Sequence, residues 1–510
     1  MPSARPSPGR LVWLAISTAM LLSLVMVPIP WGDSSGSVFG AISLLCEGDL
    51  DFDEFPFLYE REPRGSLTPD PLRTVHPDPE GSRLLSFTGL GVKLLHLPVA
   101  LVGLHPWFST TSELEALRAN QVTGLLSCLA ILLLMGRVFR DELGPRLGAL
   151  ALAALFFGTT FWPQCRQTLW SNQAATLGVA FLVFGAFRAR RQGLSSHLAL
   201  SLGLAAGWAI MTRGGTAVLC LPLLVAILME NKEQLRRSLG WIVLGGIPFA
   251  LLFAWDNLVH TGSLWTPTFL PIAAEISQRM GEEDSAFGGH VLRGLAGSLF
   301  SPSRGLLVFS PFLVLALPGA WRAWRSRDRI RISMALGVAG LLLINASYTD
   351  WWGAACWGPR RLMEALPLLT LLVFEPTWAR QRPGRGVAAL GGLLLILALG
   401  IQSIGFFFYD SSWDAHYGPT QNLRLEEGDL VYPPRAEAEA VFWSVEQGVL
   451  ADSLGLAKGR SEAGTARLQF GLDSRFTFSA GDYLPAPIPP CSRLREVDRY
   501  PPPPGGDDPR

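Results

Sequence analysis

The sequence predicts an all-α polytopic membrane protein with about eleven transmembrane helices, and three observations support this fold class. Only 16% of the 510 residues are charged, whereas soluble domains carry about 25% charged residues. The mean hydropathy is positive, at +0.30. Apolar runs such as residues 11–31 and 387–409 reach the roughly 20 residues that a helix needs to cross a bilayer. The formal net charge of zero implies no bulk attraction to nucleic acid.

The positions of the basic residues predict the orientation, because short loops rich in Lys and Arg mark the cytoplasmic side of a membrane. An even number of crossings fits between each consecutive pair of basic clusters. This arrangement predicts a cytoplasmic N-terminus and an extracytoplasmic C-terminus. The first apolar run is long and ends in PIPW, so we interpret it as an uncleaved anchor. The basic clusters lie at residues 5–10, 136–146, 188–191, 231–237, 321–331 and 381–386.

The membrane domain is predicted to extend over residues 1–410, with two long outer segments. The first outer loop covers residues 31–116, and a second large loop covers 257–302. Residues 87–104 in the first loop are apolar, but the parity of the crossings leaves no room for another span. This segment is therefore predicted to be a helix that lies in the outer interface of the membrane.

The composition changes after the membrane domain. Residues 411–485 are predicted to form a small extracytoplasmic region, of α+β or irregular structure, with weak helical character at 436–457. Alternating apolar and polar residues at 466–479 predict a short hairpin. The proline-rich residues 486–510 are predicted to be a disordered tail.

The cysteines give one further expectation. None forms a CxxC pair, which argues against a zinc or redox module. A disulfide can form between two of the cysteines predicted to be outside, and the sequence does not choose the pair. These cysteines are Cys46, Cys356 and Cys491.

An acidic cluster follows the first apolar run, in the stretch GDLDFDEF at residues 48–55. In an extended chain Asp51 and Asp53 point to one side and Glu54 points to the other. Neighbouring carboxylates raise one another's pKa, which suits a general base or a site for a divalent cation. A solvated acidic loop is the alternative interpretation, because the outer face tolerates negative charge.

Two arginines follow at predicted breaks between helices. Arg213 lies in MTRGGTA, where adjacent glycines would let a backbone or head group approach closely. Arg304 lies in LFSPSRGLLVFSP, where the start of a helix and a guanidinium group together can bind an anion. For Arg213 the alternative is an interfacial arginine whose side chain extends its charge into water. For Arg304 the alternative is an ordinary helix start, where proline is common near the first turn.

The segment YTDWWGAACWGPRR, residues 348–361, combines charges and aromatic residues at the outer interface. Asp350 and Trp352 come early in this segment, and Arg360 and Arg361 end it. Two adjacent arginines on the outside oppose the positive-inside rule, so they indicate an anionic partner such as a phosphate head group. An anchoring belt of tryptophans is the alternative.

Taken in order, these motifs resemble those of the C-type glycosyltransferases, the group that includes protein O-mannosyltransferases and the lipid A aminoarabinose transferase. The resemblance covers residues 10–410 and rests on DFDEF, the interfacial helix, GWAIMTRGG, LFSPSRGLLVFSP and WWGAACWGPRR. It implies a bacterial inner-membrane enzyme that moves a sugar from a polyprenyl-phosphate donor to an extracytoplasmic lipid, glycan or protein acceptor.

The resemblance also implies roles for individual residues. The general base would correspond to Asp53 or Glu54, and less well to Asp51. The arginines that hold the donor phosphate would correspond to Arg361 or Arg360, with Arg213 as a further member.

The sequence leaves the sugar, the acceptor and a requirement for a divalent cation open, and no cofactor is predicted with certainty. Two other classes are alternatives: a transporter or flippase of lipid-linked sugars, and an inactive scaffold in envelope assembly. A transporter would be expected to show matched halves, and the sequence has no detectable repeat.

Overall fold

The computed structural model describes most of the predicted membrane domain and a few segments beyond it. The described residues are 7–26, 32–50, 75–77, 84–86, 89–103, 113–167, 169–267, 287–353, 356–375, 385–409, 413, 424–426, 429–431, 435–445 and 449–453. Within these ranges almost all of the regular structure is helical, which confirms the predicted all-α class in its coarse form.

The helices and strands are numbered here in chain order. They are α1 (Pro8–Val25), α2 (Gly32–Cys46), β1 (Val75–Pro77), β2 (Leu84–Ser86), α3 (Leu90–Gly103), α4 (Glu113–Leu143), α5 (Pro145–Phe157), α6 (Phe161–Gln164), α7 (Ser171–Gln192), α8 (Ser196–Thr212), α9 (Ala217–Glu230), α10 (Leu235–Thr261), α11 (Val291–Phe300), α12 (Leu306–Phe309), α13 (Ala316–Ser326), α14 (Arg329–Ser347), α15 (Leu366–Val373), α16 (Arg385–Phe407), β3 (Arg424–Glu426), β4 (Asp429–Val431), α17 (Arg435–Trp443) and α18 (Val449–Ser453). The strands form two antiparallel pairs, β1 with β2 and β3 with β4.

Four helices in the described part of the chain are long and apolar enough to cross a membrane. They lie in α4, α10, α14 and α16, and other apolar helices are shorter, with 10–17 residues. The total of eleven crossings stays a prediction. The apolar core runs through α4, α5, α7, α8, α9, α14 and α15.

Helices α8 and α10 form a close pair because small residues face each other. A side-chain carbon placed on Gly203 would lie 2.0 Å from the carbonyl oxygen of Ile242, and one on Gly245 would lie 2.3 Å from that of Leu200. Only glycine fits at these two positions. Small residues of this kind let helices in membranes approach through their backbones.

An ion network joins the helix ends at one end of the bundle. Arg190 at the end of α7 bonds Glu230 at 2.7 Å and Asp328 at 2.6 Å. Arg331 in the first turn of α14 pairs with Asp328 and bonds Glu142 at 2.8 Å. Residues in or next to four of the predicted cytoplasmic clusters therefore lie at the same end of the bundle.

The first outer segment differs from the expected loop. The sequence predicted that the acidic stretch follows the first membrane helix directly, but α2 lies between them. The polar start of this helix, GDSSGS, conceals it in a search for apolar runs. Helix α3 forms within residues 87–104, where a helix was predicted, although Pro98 lies inside it.

Candidate active site

The end of the bundle opposite the ion network contains the arginines singled out in the sequence. Arg213 follows α8 in an extended conformation and ends that helix. Its Nη1 donates to Glu364 Oε1 at 2.5 Å and to the backbone carbonyl of Arg361 at 3.0 Å. Glu364 is completely buried, and the side chain of Arg213 is 18% exposed. Two motifs that are 148 residues apart in the sequence are thus directly bonded.

Arg361 lies against the segment that follows α14. Its Nη2 donates to Asp350 Oδ2 at 2.7 Å, and its guanidinium group lies 4.6 Å from the centre of the Tyr348 ring. Gly353 has a φ of +70°, and a side-chain carbon there would lie 3.3 Å from Arg361, so glycine allows this approach. The Nη1 of Arg361 is buried and has no hydrogen-bond partner within the described chain.

Arg360 points to a different wall than Arg361. Its guanidinium group stacks on Trp170, 3.8 Å from the ring centre, and the residue is 9% exposed. Trp170 immediately precedes α7, whose far end carries Arg190 of the ion network. Arg360 therefore contacts the start of α7, and Arg361 contacts the segment after α14. The turn that contains both arginines joins these two parts of the bundle.

Arg304 and Trp352 lie beside the C-terminal helix α17. The guanidinium group of Arg304 is 5.0 Å from the ring centre of Trp413 and 5.3 Å from that of Phe442. Its Nη1 donates to the Ser303 carbonyl at 3.0 Å. Trp352 stacks on Phe442 with the ring centres 5.1 Å apart. A narrow cleft lies between these groups, and it is lined by Arg304, Arg361, Trp352 and neighbouring residues.

The predicted catalytic acids Asp51, Asp53 and Glu54 lie outside the described residues. The first acid of the cluster, Asp49, is described, and its Oδ1 accepts a hydrogen bond of 2.7 Å from Ser43 Oγ. The end of α2 therefore fixes where the acidic stretch begins.

Helices α2 and α3 run antiparallel, and their contacts define a register. Ser37 Oγ is 3.1 Å from His96 Nε2. Three residues further along α2, a side-chain carbon on Gly40 would lie 3.0 Å from the Cδ atom of Lys93. Continued at the same register, Ser43 is level with Leu90, the first residue of α3. The acidic stretch consequently begins at the N-terminal end of α3.

The N-terminal end of α3 in turn packs on the residue before Arg213. A side-chain carbon on Gly91 would lie 2.1 Å from Thr212 Oγ1, and one on Gly89 would lie 3.4 Å from the carbonyl oxygen of Thr212. These contacts link the start of the acidic stretch, through α3, to the turn that holds Arg213. Asp49, the described start of the acidic stretch, and Arg213 thus lie towards the same end of the bundle.

The sequence reasoning missed two charged residues of this region. Glu364 follows Arg361 by three residues in an otherwise apolar segment, and Lys93 is a single charge within an apolar helix. Such isolated charges are functional signals in membrane proteins. Lys93 is fully buried, and burial lowers its pKa to about 8 although the negative charge of Asp256 opposes this effect.

Two other features differ from expectation. The position of Arg166 between Trp162 and Trp170 in the sequence predicts an anchor at the membrane interface, but Arg166 is buried, and its Nη1 donates to the carbonyls of Phe406 and Tyr409 at the end of α16. Cys46 is disulfide-bonded, whereas Cys356 is a free thiol, which excludes a disulfide at Cys356. No group of three His, Cys, Asp or Glu side chains in the described ranges could hold a metal ion.

Comparisons with known proteins give one similarity. No protein-family model and no curated protein sequence matches the chain. The structure is similar to the crystal structure of ArnT from Cupriavidus metallidurans bound to undecaprenyl phosphate, at 15% identity and a TM-score of 0.46. The similarity covers 87% of this chain and 73% of that chain. At this TM-score, it carries no argument about residues or reaction.

Proposed function

We propose that this chain is an integral membrane glycosyltransferase. It would transfer a sugar from a polyprenyl-phosphate donor to an extracytoplasmic lipid, glycan or protein acceptor. One observation supports the proposal: the α2–α3 register and the contact of α3 with Thr212 bring Asp49, at the start of the acidic stretch, towards the end of the bundle that holds the arginines. An acidic wall and a basic wall at one site are what this reaction needs.

The basic wall would bind the donor and stabilise its leaving group. A lipid phosphate leaves as an anion, and preorganised guanidinium groups stabilise the charge that develops on it. Arg361 is the best placed of the arginines, because its Nη1 is buried with no partner within the described residues. Arg360, Arg213 and Arg304 would add positive charge around the same turn. Asp350 and Trp352 would line the substrate side.

The acidic wall would activate the acceptor. A hydroxyl group is a poor nucleophile until a base takes its proton. We assign this role to Asp53 or Glu54, with Asp51 as the less favoured candidate. The assignment follows from their position two to five residues after Asp49, whose place beside Ser43 is described. A divalent cation bound by the same acids is the alternative use of this cluster.

The site would face the extracytoplasmic side of a bacterial inner membrane. Cys46 at the end of α2 is disulfide-bonded, and disulfides persist in oxidising compartments. The ion network and its arginines lie at the opposite end, where the positive-inside rule places the cytoplasm. The N-terminus would be cytoplasmic and the C-terminal region outside.

Donor binding gives the first test of the proposed function. Mass spectrometry of lipids that co-purify with the detergent-solubilised protein should detect a polyprenyl phosphate. Purified protein should bind undecaprenyl phosphate, and Arg361→Ala should weaken this binding about tenfold or more. Arg188→Ala is the matched control, because Arg188 is an exposed arginine near the opposite end of α7. A wild-type protein without affinity for the lipid phosphate would contradict the proposal.

The second test separates an enzyme from a flippase or a scaffold. In native membranes, which supply the acceptor, the double variant Asp53→Asn, Glu54→Gln should still bind undecaprenyl phosphate. Its turnover of the sugar-linked donor should fall about 100-fold or more, the usual contribution of general base catalysis. Turnover at the wild-type rate would remove both residues from the base role. Donor binding and movement across the membrane without any transfer would favour a flippase.

A further inference from the structure

Two residues that line the cleft each have a buried polar atom with no hydrogen-bond partner in the described structure. One is Arg361 Nη1, and the other is Asn345 Oδ1. Asn345 is 3% exposed and lines the cleft together with Arg361, Ser298 and Trp352. A buried donor and a buried acceptor without partners are costly, so a group that bonds both is expected to occupy the cleft.

The orientation of the Asn345 amide is fixed by its other contacts. Its Nδ2 donates to Ser298 Oγ at 2.9 Å and to the backbone carbonyl of Trp351 at 3.0 Å. A backbone carbonyl only accepts hydrogen bonds, so the nitrogen must face Trp351. The oxygen of the amide is therefore the unpartnered atom.

A single group that bonds both atoms must donate one hydrogen bond and accept another. A hydroxyl group does both, since it can donate to Asn345 Oδ1 and accept from one N–H of Arg361 Nη1, whose second N–H stays available to the donor phosphate. A phosphate or carboxylate would satisfy Arg361 but would place an acceptor against the Asn345 oxygen. An ammonium group would satisfy Asn345 but would oppose the charge of Arg361. The cleft has room for about one water molecule or hydroxyl group.

We propose that Asn345 and Arg361 bind one ring hydroxyl of the donor sugar. This inference rests on the proposed function, in which Arg361 holds the donor phosphate. The sugar is bonded directly to that phosphate, so it is the part of the donor that reaches a cleft lined by the same guanidinium group. The ring itself lies outside the cleft and inserts a single hydroxyl.

The C-terminal helix α17 holds the wall of this subsite in place. Trp351 Nε1 donates to Glu439 Oε1 at 2.9 Å, and Glu439 also bonds Arg293 at 2.8 Å. Glu439 is 1% exposed. Because Trp351 supplies the carbonyl that orients Asn345, Glu439 acts on the subsite as a positioning residue. The C-terminal region thereby contributes to sugar recognition without contacting the sugar.

Binding of two kinds of probe tests the subsite. The first probe is undecaprenyl phosphate, and the second is a panel of undecaprenyl-phosphate-linked sugars with a neutral hexose, a pentose and an N-acetylhexosamine. The wild-type protein should bind at least one linked sugar more tightly than the bare lipid phosphate. Asn345→Leu should reduce that preference about tenfold and leave the affinity for the bare lipid unchanged. Glu439→Ala should reduce the preference, and Glu439→Gln, which keeps an acceptor for Trp351, should restore most of it.

A control variant and a change in the ligand separate recognition from misfolding. Asn231 also donates its Nδ2 to a backbone carbonyl, that of Ile227, at the end of the bundle near the ion network. Asn231→Leu should leave both affinities unchanged. The preferred donor with its ring hydroxyls replaced by hydrogen, one at a time, tests the contact on unmodified protein. Removal of one particular hydroxyl should abolish the preference.

The outcomes distinguish this inference from the proposed function. If the wild-type protein binds the bare lipid phosphate but no linked sugar more tightly, the subsite is refuted and donor binding stands. Equal weakening of both probes by Asn345→Leu, or an equal effect of every deoxy donor, also refutes it. If no lipid phosphate binds, the proposed function itself fails.

Discussion

Replacement of Arg213 by methionine should destabilise the protein strongly, because it breaks a buried ion pair. Glu364 has no exposed surface, and its described side-chain hydrogen-bond donors are Arg213 at 2.5 Å and Asn172 at 3.3 Å. Without Arg213 the carboxylate would stay buried with one weak neutral side-chain donor. The same change would release the Arg361 carbonyl, which Arg213 also bonds.

The size of the effect follows from the burial of the two partners. Breaking a fully buried ion pair by removing one partner costs about 3–5 kcal/mol. The Arg213 side chain is 18% exposed, so solvent screens the pair in part. We therefore expect a loss at the lower end, about 3 kcal/mol of unfolding free energy. Replacing both residues with methionine removes the buried charge, so the double variant should recover about 2 kcal/mol of this loss.

Equilibrium unfolding in mixed SDS micelles, followed by tryptophan fluorescence, measures these differences. Arg188→Met serves as the matched control, since Arg188 is exposed and bonds only the neighbouring turn at Gln192 among the described residues. Its unfolding free energy should change by less than about 0.5 kcal/mol. The reasoning is refuted if Arg213→Met is no more destabilising than Arg188→Met, or if the double variant is no more stable than Arg213→Met alone.

Three further predictions concern the rest of the bundle. Arg190→Met should lower the unfolding free energy by about 2–3 kcal/mol without changing affinity for undecaprenyl phosphate, because Arg190 lies at the opposite end; a change in affinity would contradict this. Burial alone would raise the pKa of Asp328, but the hydrogen bond from Arg190 and the charges of Arg331 and Arg190 lower it below its usual 3.8. A lowered pKa stabilises the folded protein at pH values above the unfolded-state pKa, and this stability is lost as the pH falls through the folded-state pKa. Asp328→Asn should therefore make the unfolding free energy depend less on pH in the acid range. An unchanged pH dependence would contradict this prediction. Cys46 should resist thiol labelling until a reductant is added, and labelling without reduction would contradict the disulfide.

The sequence predicted where helices are interrupted better than it predicted which residues meet in the folded protein. The break at Arg213 is evident from TRGG, and the extended conformation of Arg213 does end α8 there. Two glycines and a charge interrupt an apolar helix by local chemistry alone. The ion pair between Arg213 and Glu364 depends on how the helices pack, and no short sequence pattern predicts it.

The structure also changed the interpretation of residues that had been assigned by type. Arg166 and Arg304 lie in segments that the sequence predicts to be at the membrane interface, yet both are buried and bond backbone carbonyls. Arg166 bonds the carbonyl of Phe406 near the end of α16, 240 residues away in the sequence. Long arginine side chains reach distant helix ends, so their partners are set by the tertiary fold.

Helix α2 and the role of α17 could not be predicted for the same reason. Half of α2 is glycine, serine and aspartate, and its stability comes from packing on α3 and α4 rather than from an apolar run. The weak helical pattern at 436–457 was visible, but it did not indicate that Glu439 and Phe442 would hold Trp351 and Trp352.

A distance measurement tests most directly whether the acids and the arginines share one end of the bundle. Spin labels would be attached at Glu54→Cys and, in separate proteins, at His290→Cys or Gln192→Cys. Both partner sites are exposed; His290 adjoins the end of α14 beside Tyr348, and Gln192 ends α7 near the ion network. The four free cysteines in the described chain are buried and should stay unlabelled. We predict that the distance from 54 to 290 is shorter than the length of α14, about 28 Å for its 19 residues, and that the distance from 54 to 192 is longer. A label at 54 that lies closer to 192 than to 290 would contradict the account.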